Sequence, residues 1–291
     1  MEGLITADIQ GDLAFDIGAH RGEDSAYYLS RGFRVVAVEC DPAHCSFLRQ
    51  RFASEIAHGR WTLVEAAISH EPGKVCFYRN TSISVWGTVE RAWADRNIEA
   101  GTDIEELWVD SIHPRTLFEE FGVPYYLKID IEGADLLVLR SLEELQQKPP
   151  YVSIESDATS FEKLLHEFAE FERHGYDQFK LSAQHTVQRM KEPPNSPHGI
   201  PSDYRFEEHA SGLFGEDLPG PWLSERVMIA EYKYVFVLYD LYYAVQKGIF
   251  NDNLVKFNKV YGHDAGGWYD THARHSSLRQ PLRSNILTGG T

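Results

Sequence analysis

One short stretch near the start of the chain constrains the fold more than any other part of the sequence. An apolar run ends in Asp16, two glycines follow four residues apart at Gly18 and Gly22, and a segment with a helical pattern comes directly after them. A strand that turns this tightly into a helix is typical of sites that hold nucleotide-like ligands in α/β proteins. Glycine turns before helices also occur in α/β proteins without a ligand, so the stretch alone leaves both interpretations open.

The composition is that of a globular protein with an acidic surface. The 291 residues are 43% hydrophobic and 25% charged, which is enough for a sizeable core in one large domain or in a domain with an appendage. A net charge of −16 argues against nucleic acid or an anionic membrane surface as a partner. No apolar run reaches the ~18 residues of a membrane helix and no leader pattern is evident, so we expect a cytoplasmic protein. The three cysteines form no C-x-x-C pattern, so we expect free thiols.

Strand and helix patterns alternate over the first two thirds of the chain. Apolar, β-branched segments predict six strands, at residues 13–17, 34–39, 61–66, 125–130, 151–155 and 177–181. Helical patterns separate them, and this rhythm predicts a parallel sheet with right-handed crossovers. Other expectations are a short strand at 74–78, an irregular segment at 80–108, a seventh strand just before residue 212, a helix over 224–247 with 234–238 as a strand alternative, and a polar tail beyond Arg274.

Acidic side chains stand at the predicted carboxyl ends of these strands, where ligands of open α/β sheets bind. They are Asp16, Glu39, Asp130 with Glu132, and Glu155 with Asp157. Glu39 follows Asp16 by 23 residues, close to the ~20 that separate a glycine-rich turn from the acid that binds ribose hydroxyls. The turn and the acid therefore support each other as parts of one ligand site.

The chemistry of the turn favours a cationic ligand over a dinucleotide. The turn reads D-x-G-x-x-x-G rather than G-x-G-x-x-G, and an acid at the end of the first strand would repel a pyrophosphate. An adenosyl ligand with a positive charge fits better than NAD. S-adenosylmethionine meets that description, because it carries a sulfonium, an ammonium group and a ribose.

Four segments carry a family resemblance. They are residues 16–22 (DIGAHRG), 36–39 (VAVE), 65–69 (EAAIS) and 128–134 (KIDIEGA). In order and spacing they resemble the motifs of FkbM-type S-adenosylmethionine-dependent methyltransferases, over about residues 12–182. The resemblance implies an α/β, Rossmann-like fold with the seven-stranded class I methyltransferase sheet in the order 3-2-1-4-5-7-6. Residues 1–220 would form the methyltransferase domain, and residues 221–291 a C-terminal helical and loop extension packed on it.

The resemblance also implies roles for single residues at the cofactor site. Asp16 would lie near the methionine ammonium group, and Glu39 would accept hydrogen bonds from both ribose hydroxyls. Asp41 either lies beside the adenosine or caps a helix, and capping is the commoner role. The full predicted cofactor-binding set is Asp16, Gly18, His20, Gly22, Glu39, Ala66, Ala67, Lys128 and Asp130.

The implied reaction is O-methylation of a hydroxyl on a sugar or natural-product-like small molecule. Such a transfer needs a general base, or a metal ion that acidifies the hydroxyl. Asp130 and Glu132 are the expected catalytic residues. The other candidates for the base are Glu155, Asp157, His20, Lys128, His185, His198, His209 and His272. A Mg²⁺ ion held by Asp130, Glu155 and Asp157 is an alternative, although such acids also serve as ion-pair partners or caps.

A second class of function stays open at this point. The chain could be a non-catalytic module that binds an adenosyl ligand or a partner, with the aromatic-rich residues 222–250 as an association surface that would also allow a homo-oligomer. Aromatic side chains in the predicted loops either stack on a sugar ring or anchor those loops to the core. These are Trp86, Trp93, Tyr204 and Trp222.

Overall fold

The computed structural model describes residues 3–156, 160–246 and 268–278. Strands are numbered in chain order. The strands of the main sheet are β1 (Ile9–Ile17), β2 (Arg34–Glu39), β3 (Trp61–Glu65), β7 (Val123–Ile129), β8 (Tyr151–Glu155), β9 (Tyr176–Ala183), β10 (Leu223–Ser224) and β11 (Tyr269–His275). They lie in the order β10-β9-β11-β8-β7-β1-β2-β3. The pairs from β3 through β8 are parallel, and β11 is antiparallel to both of its neighbours. The fold is therefore α/β with a mostly parallel central sheet.

The sheet differs from the predicted one in the number of its strands and in the origin of one of them. It has eight strands rather than seven, because the two-residue β10 adds to the edge beside β9. The strand between β8 and β9 is β11, which comes from the predicted C-terminal extension and not from the segment before residue 212. Its residues alternate little in polarity, so the strand pattern was hidden. Of the predicted polar tail beyond Arg274, His275 belongs to β11 and Ser276–Leu278 form a short 3-10 helix, and the rest lies outside the described residues.

The helices follow the sequence signals closely. They are α1 (Glu23–Ser30), α2 (Pro42–Arg51), α3 (Ala53–Ala57), α4 (Arg91–Glu99), α5 (Pro114–Phe121), α6 (Asp135–Ser141), α7 (Phe161–Arg173) and α8 (Glu225–Gln246). The Asp41 side chain accepts a hydrogen bond from the Ala43 amide at the start of α2, which confirms the capping role. Residues 234–238 are helical, so the strand alternative is wrong. Within the described residues, no helix is both long and apolar enough to cross a bilayer.

The segment predicted to be irregular contains regular structure. A second sheet of three strands forms from β4 (Ala67–Ile68), β5 (Gly73–Asn80) and β6 (Ile104–Ile112), in the order β4-β6-β5. Helix α4 lies between β5 and β6. The prediction missed β6 because its charged residues, in the run Glu105-Glu106 and at Asp110, interrupt the apolar pattern and face solvent. This small sheet carries residues 83–89 to the carboxyl edge of the main sheet.

The two faces of the main sheet are covered in different ways. One face packs on helices, with Phe15, Leu127 and Val152 in a core that also contains residues of α5, α6, α7 and α8. The other face packs on α1 and on the mostly non-helical segment 187–218, through Tyr126 and Phe214, whose rings stack 4.1 Å apart. The non-helical cover brings residues 207–211 to the same carboxyl edge.

Candidate functional site

A cavity of about 530 Å³ lies at the carboxyl edge of the parallel strands. The ends of β1, β2, β7 and β8 form its floor, and the start of β11, residues 83–89 and residues 207–211 complete its walls. This is the edge where ligands of open α/β sheets bind. The cavity is therefore the candidate functional site.

The turn after β1 is held by two neighbouring strands. The amides of Gly18 and Ala19 both donate to the Val38 carbonyl at 3.0 Å. Gly18 has a φ of +86°, and a Cβ there would lie 1.8 Å from the Asp130 carbonyl oxygen. Only glycine allows so close an approach between the turn and the end of β7.

Gly22 has a different role from the one predicted. Its φ is +82°, and a Cβ there would collide with the side chains of Phe52 and Leu48. Gly22 does not line the cavity. It is needed for the packing of the turn against α2, so the structure does not place it at the ligand site.

Glu39 lies in the cavity wall at the end of β2. Its carboxylate accepts hydrogen bonds from the amides of His20, Cys40 and Asp41, each at 2.8 Å. Burial raises the pKa of Glu39 to about 7 in spite of these bonds. Oε1 accepts the bonds from Cys40 and Asp41, whereas Oε2 accepts only the bond from His20 and can accept one more. Glu39 is therefore oriented by the backbone and still available to a ligand.

A buried lysine joins three acids at the floor of the cavity. Lys128 Nζ lies 3.5 Å from Asp16, 3.6 Å from Asp24 and 3.3 Å from Asp130, and it donates to the Gly18 carbonyl at 3.1 Å. Burial opposes the charge on Lys128, but Asp130, Asp16 and Asp24 outweigh burial and hold its pKa above the usual range. Burial raises the pKa of Asp24 to about 7, against the opposing effect of Lys128.

Asp16 is buried beside this lysine and does not line the cavity. Its Oδ2 accepts a hydrogen bond from Ser25 at 2.7 Å, and burial raises its pKa. Asp16 can therefore act on a ligand through Lys128, whereas direct contact would need a rearrangement of the wall.

The tip of β7 is held by contacts with the segment 80–108, which was predicted to be irregular. Glu132 has a φ of +51°, and its carbonyl accepts a hydrogen bond from Thr88 at 2.7 Å. Trp93 packs against Gly133, and Arg96 lies 3.9 Å from the Glu132 carboxylate. Burial raises the pKa of Glu132 to about 8, Asp130 adds to the shift and Arg96 opposes it.

Two further acids meet at the other side of the β7 tip. Glu155 on β8 and Asp270 on β11 are directly opposite each other in the antiparallel pair, and both line the cavity. Burial raises the pKa of each well above the usual range, and the neighbouring carboxylates add to both shifts. The side chain of Gln184 donates a hydrogen bond to Asp270.

Most of the residues singled out in the sequence meet in this cavity. The lining includes Gly18, His20, Glu39, Ala66, Ala67, Lys128, Asp130, Glu132, Glu155, His185, His209 and Trp86. His198 and His272 are buried outside it, and burial lowers their pKa values to about 4 and about 3. Trp93, Tyr204 and Trp222 also lie outside the lining and pack on other side chains, as the anchoring alternative expects.

Several lining residues were missed in the sequence. Asp24 lies in the first turn of α1 and accepts a hydrogen bond from the Ser211 amide at 2.8 Å. Asp270 and Trp268 lie in the predicted C-terminal extension, and the sequence indicates neither as a site residue. Only the strand register of β11 brings these last two residues to the site.

The alternative of a Mg²⁺ site gains no support from the described side chains. Asp130 and Glu155 both line the cavity, but Asp157 lies outside the described residues. Among the described residues, no group of three histidine, cysteine, aspartate or glutamate side chains could hold a metal ion.

The protein is thus an α/β protein with a mostly parallel sheet and a cavity at the carboxyl edge of that sheet. A family model described as the methyltransferase FkbM domain matches residues 16–177, more than half of the chain. The chain belongs to this family.

Several proteins show further similarity to the chain. A probable ribosomal RNA small subunit methyltransferase A from Methanospirillum hungatei JF-1 is 43% identical over 58 residues, which span 20% of this chain and only 23% of that protein. The structure of a methyltransferase FkbM from Methylobacillus flagellatus KT matches 60% of this chain and 41% of its own, with 17% identity and a TM-score of 0.41. A SAM-dependent methyltransferase from Geobacter sulfurreducens, solved in complex with S-adenosyl-L-homocysteine, matches 92% of this chain and 86% of its own, with 11% identity and a TM-score of 0.35.

Proposed function

We propose that the protein is an S-adenosylmethionine-dependent O-methyltransferase that acts on a hydroxyl of a sugar or natural-product-like small molecule. The observation that carries the proposal is that one cavity is lined both by residues of the predicted cofactor set and by the two expected catalytic acids. We call Gly18, Glu39 and the Ala66-Ala67 pair the donor end, and Asp130 with Glu132 the start of the acceptor end. Family membership supplies the class of reaction.

The charge of the cavity fits this cofactor better than a dinucleotide. Among the described lining residues, one lysine and no arginine face nine carboxylates, which are Glu23, Asp24, Glu39, Asp130, Glu132, Glu155, Glu207, Glu208 and Asp270. A pyrophosphate would be repelled by such walls, whereas a sulfonium and an ammonium group would be attracted. Glu39 would hold the ribose hydroxyls, and Ala66 with Ala67 would leave room for the adenine ring.

The chemistry asks little of the protein beyond alignment and removal of one proton. The cofactor supplies a methyl group on a cationic sulfur, and transfer to the acceptor oxygen breaks the carbon–sulfur bond, with its electron pair going to sulfur. Asp130 or Glu132 would take the hydroxyl proton. The pKa of Glu132 is raised to about 8, which increases its affinity for a proton and makes its carboxylate a stronger base than an ordinary one.

Calorimetric titration with S-adenosylmethionine tests the donor end. We expect binding by the wild-type protein, and a loss of at least about tenfold in affinity for Glu39→Ala because the hydrogen bond from a ribose hydroxyl to this carboxylate disappears. Glu105→Ala, which removes an exposed acid, is the matched control and should bind as the wild type does. The absence of binding by the wild-type protein would refute the proposed function.

The pH dependence of methyl transfer tests the acceptor end. If Glu132 takes the proton, the rate rises with pH up to about 8 and then levels off, because only the ionised carboxylate is a base. Glu132→Gln should remove this rise and lower the rate by about 100-fold, as is typical of general-base catalysis. A rise that persists in the variant would exclude Glu132 as the base. Mass spectrometry of the acceptor after reaction identifies the product by the gain of one methyl group.

A further inference from the structure

A pair of acids at the acceptor end has no ion-pair partner among the described residues. Glu155 and Asp270 lie directly opposite each other on β8 and β11, so their side chains leave the same face of the sheet. Like charges in this arrangement destabilise a sheet. Asp270 is only 4% exposed, and one of its two carboxylate oxygens has no hydrogen-bond partner among the described residues.

The surroundings of the pair are also negative. Asp130 and Glu132 act on Glu155 as like charges, and within the described part of the chain no lysine, arginine or histidine forms an ion pair with Glu155 or Asp270. Lys128 lies within ion-pair distance of Asp16, Asp24 and Asp130 instead. Lys128 lowers the pKa of Asp270 without offsetting burial and the neighbouring acids, so a cation bound beside the pair would favour the ionised form of both carboxyl groups.

The geometry favours an organic cation over a metal ion. No group of three metal-ligand side chains in residues 3–156, 160–246 and 268–278 could hold a metal. A protonated amine needs only hydrogen-bond acceptors, and it can donate to both carboxylates at once. Beside the pair, the rings of Trp86 and Trp268 meet edge to face with centroids 6.3 Å apart, which offers an apolar surface for the carbon skeleton of a sugar.

We propose that Glu155 and Asp270 bind an ammonium group on the methyl acceptor, so that the substrate is an amine-bearing hydroxyl compound such as an amino sugar. This inference rests on the proposed function and narrows its substrate class. The ammonium group orients the acceptor and is unchanged by the reaction: the acceptor oxygen gains the methyl group and loses its proton to Asp130 or Glu132. Neutral sugars would leave the pair unbalanced, and anionic sugars would be repelled.

Ligand-observed NMR on the protein loaded with S-adenosylhomocysteine tests the charge preference. The probes are glucosamine, N-acetylglucosamine and glucuronate, which present an ammonium, a neutral amide and a carboxylate. We expect glucosamine to bind at least about tenfold more tightly than the other two. In Glu155→Gln and Asp270→Asn this preference should fall to about twofold or less, whereas Glu120→Gln, an exposed acid far from the cavity lining, should keep it.

The affinity for S-adenosylhomocysteine separates this inference from the proposed function. Both isosteric variants should bind S-adenosylhomocysteine as the wild type does, because the pair serves the acceptor. The inference would be overturned if the three sugars bound equally or if glucosamine did not bind. A loss of S-adenosylhomocysteine affinity in the variants would also overturn it, because that result would assign the pair to the ammonium group of the cofactor. A wild-type protein that binds neither S-adenosylmethionine nor S-adenosylhomocysteine would overturn the proposed function itself.

Discussion

The donor end and the acceptor end of the cavity are built on different principles. The donor end consists of a turn and an acid close in sequence, held by backbone hydrogen bonds from Gly18, Ala19 and His20. The acceptor end is assembled from distant segments, and it brings Glu132, Glu155 and Asp270 together without enough cations to balance them. The donor end should therefore increase the free energy of unfolding. The acceptor end should decrease it, because its acids are arranged for binding rather than for stability.

Loss of the lysine between the two ends should have the largest effect. Lys128→Met leaves Asp16 and Asp24 buried without their cation, and we expect it to lower the free energy of unfolding by about 3–5 kcal/mol. Urea denaturation measures this loss. Lys74→Met, which breaks an exposed pair with Asp110, should cost less than about 1 kcal/mol. If the two variants lost similar amounts of unfolding free energy, Lys128 would contribute no more to stability than an exposed lysine does.

The next largest effect should come from the turn at the donor end. Gly18→Ala places a Cβ against the Asp130 carbonyl, and we expect a loss of at least about 3 kcal/mol in unfolding free energy. Gly59→Ala is the matched control, because Gly59 has a φ of +66° but open space around it, and it should lose only about 1 kcal/mol. The difference isolates the close approach of the turn to β7. If both variants lose the same amount, backbone strain alone explains Gly18.

The titration of Glu132 at the acceptor end should make the stability of the protein depend on pH. Glu132 has a pKa of about 8 in the folded protein against about 4.5 in an unfolded chain, so between these values the folded state keeps a proton that the unfolded state has released. Stability from this group therefore falls as pH rises from about 4.5 to about 8. Glu132→Gln lacks this loss, and its stability relative to the wild type should rise by roughly 3 kcal/mol between pH 5 and pH 8. A constant difference between the two proteins across that range would show that the pKa of Glu132 is not raised.

The smallest predicted effect is an increase in stability, whereas the donor-end substitutions are expected to decrease it. Glu155→Gln removes one member of the like-charged pair, and thermal denaturation should show a stabilisation of about 0.5–1 kcal/mol. Asp270→Asn should stabilise to a similar extent. The double variant should gain less than the sum, because either substitution alone relieves the repulsion. Destabilisation by both single variants would contradict the proposed contrast between the two ends.

The donor end could be predicted from sequence because its signals are local. Gly18, Glu39 and Ala66-Ala67 each follow a strand whose apolar pattern is clear, and α/β topology places those strand ends side by side. Asp16 and Gly22 belong to the predicted cofactor set but not to the cavity lining, because strand direction and turn position do not determine which residues reach the cavity surface.

The acceptor end could be predicted only in part, because it depends on long-range register. The KIDIEGA segment pointed to Asp130 and Glu132, but nothing local indicated that Thr88, Trp93 and Arg96 would hold the tip of β7. Asp270 reaches the cavity only because β11 inserts between β8 and β9. A strand that pairs with neighbours encoded about a hundred residues earlier leaves little trace in its own pattern.

The insertion of β11 also sets an order of events during synthesis. Strands β8 and β9 do not pair with each other, so each presents an open edge to the other until residues 269–275 have left the ribosome. The chain must keep that gap free of other strands while some eighty further residues are made. A nascent protein in this state is a candidate for chaperone capture, and the acceptor end becomes complete only when the last strand of the sheet arrives.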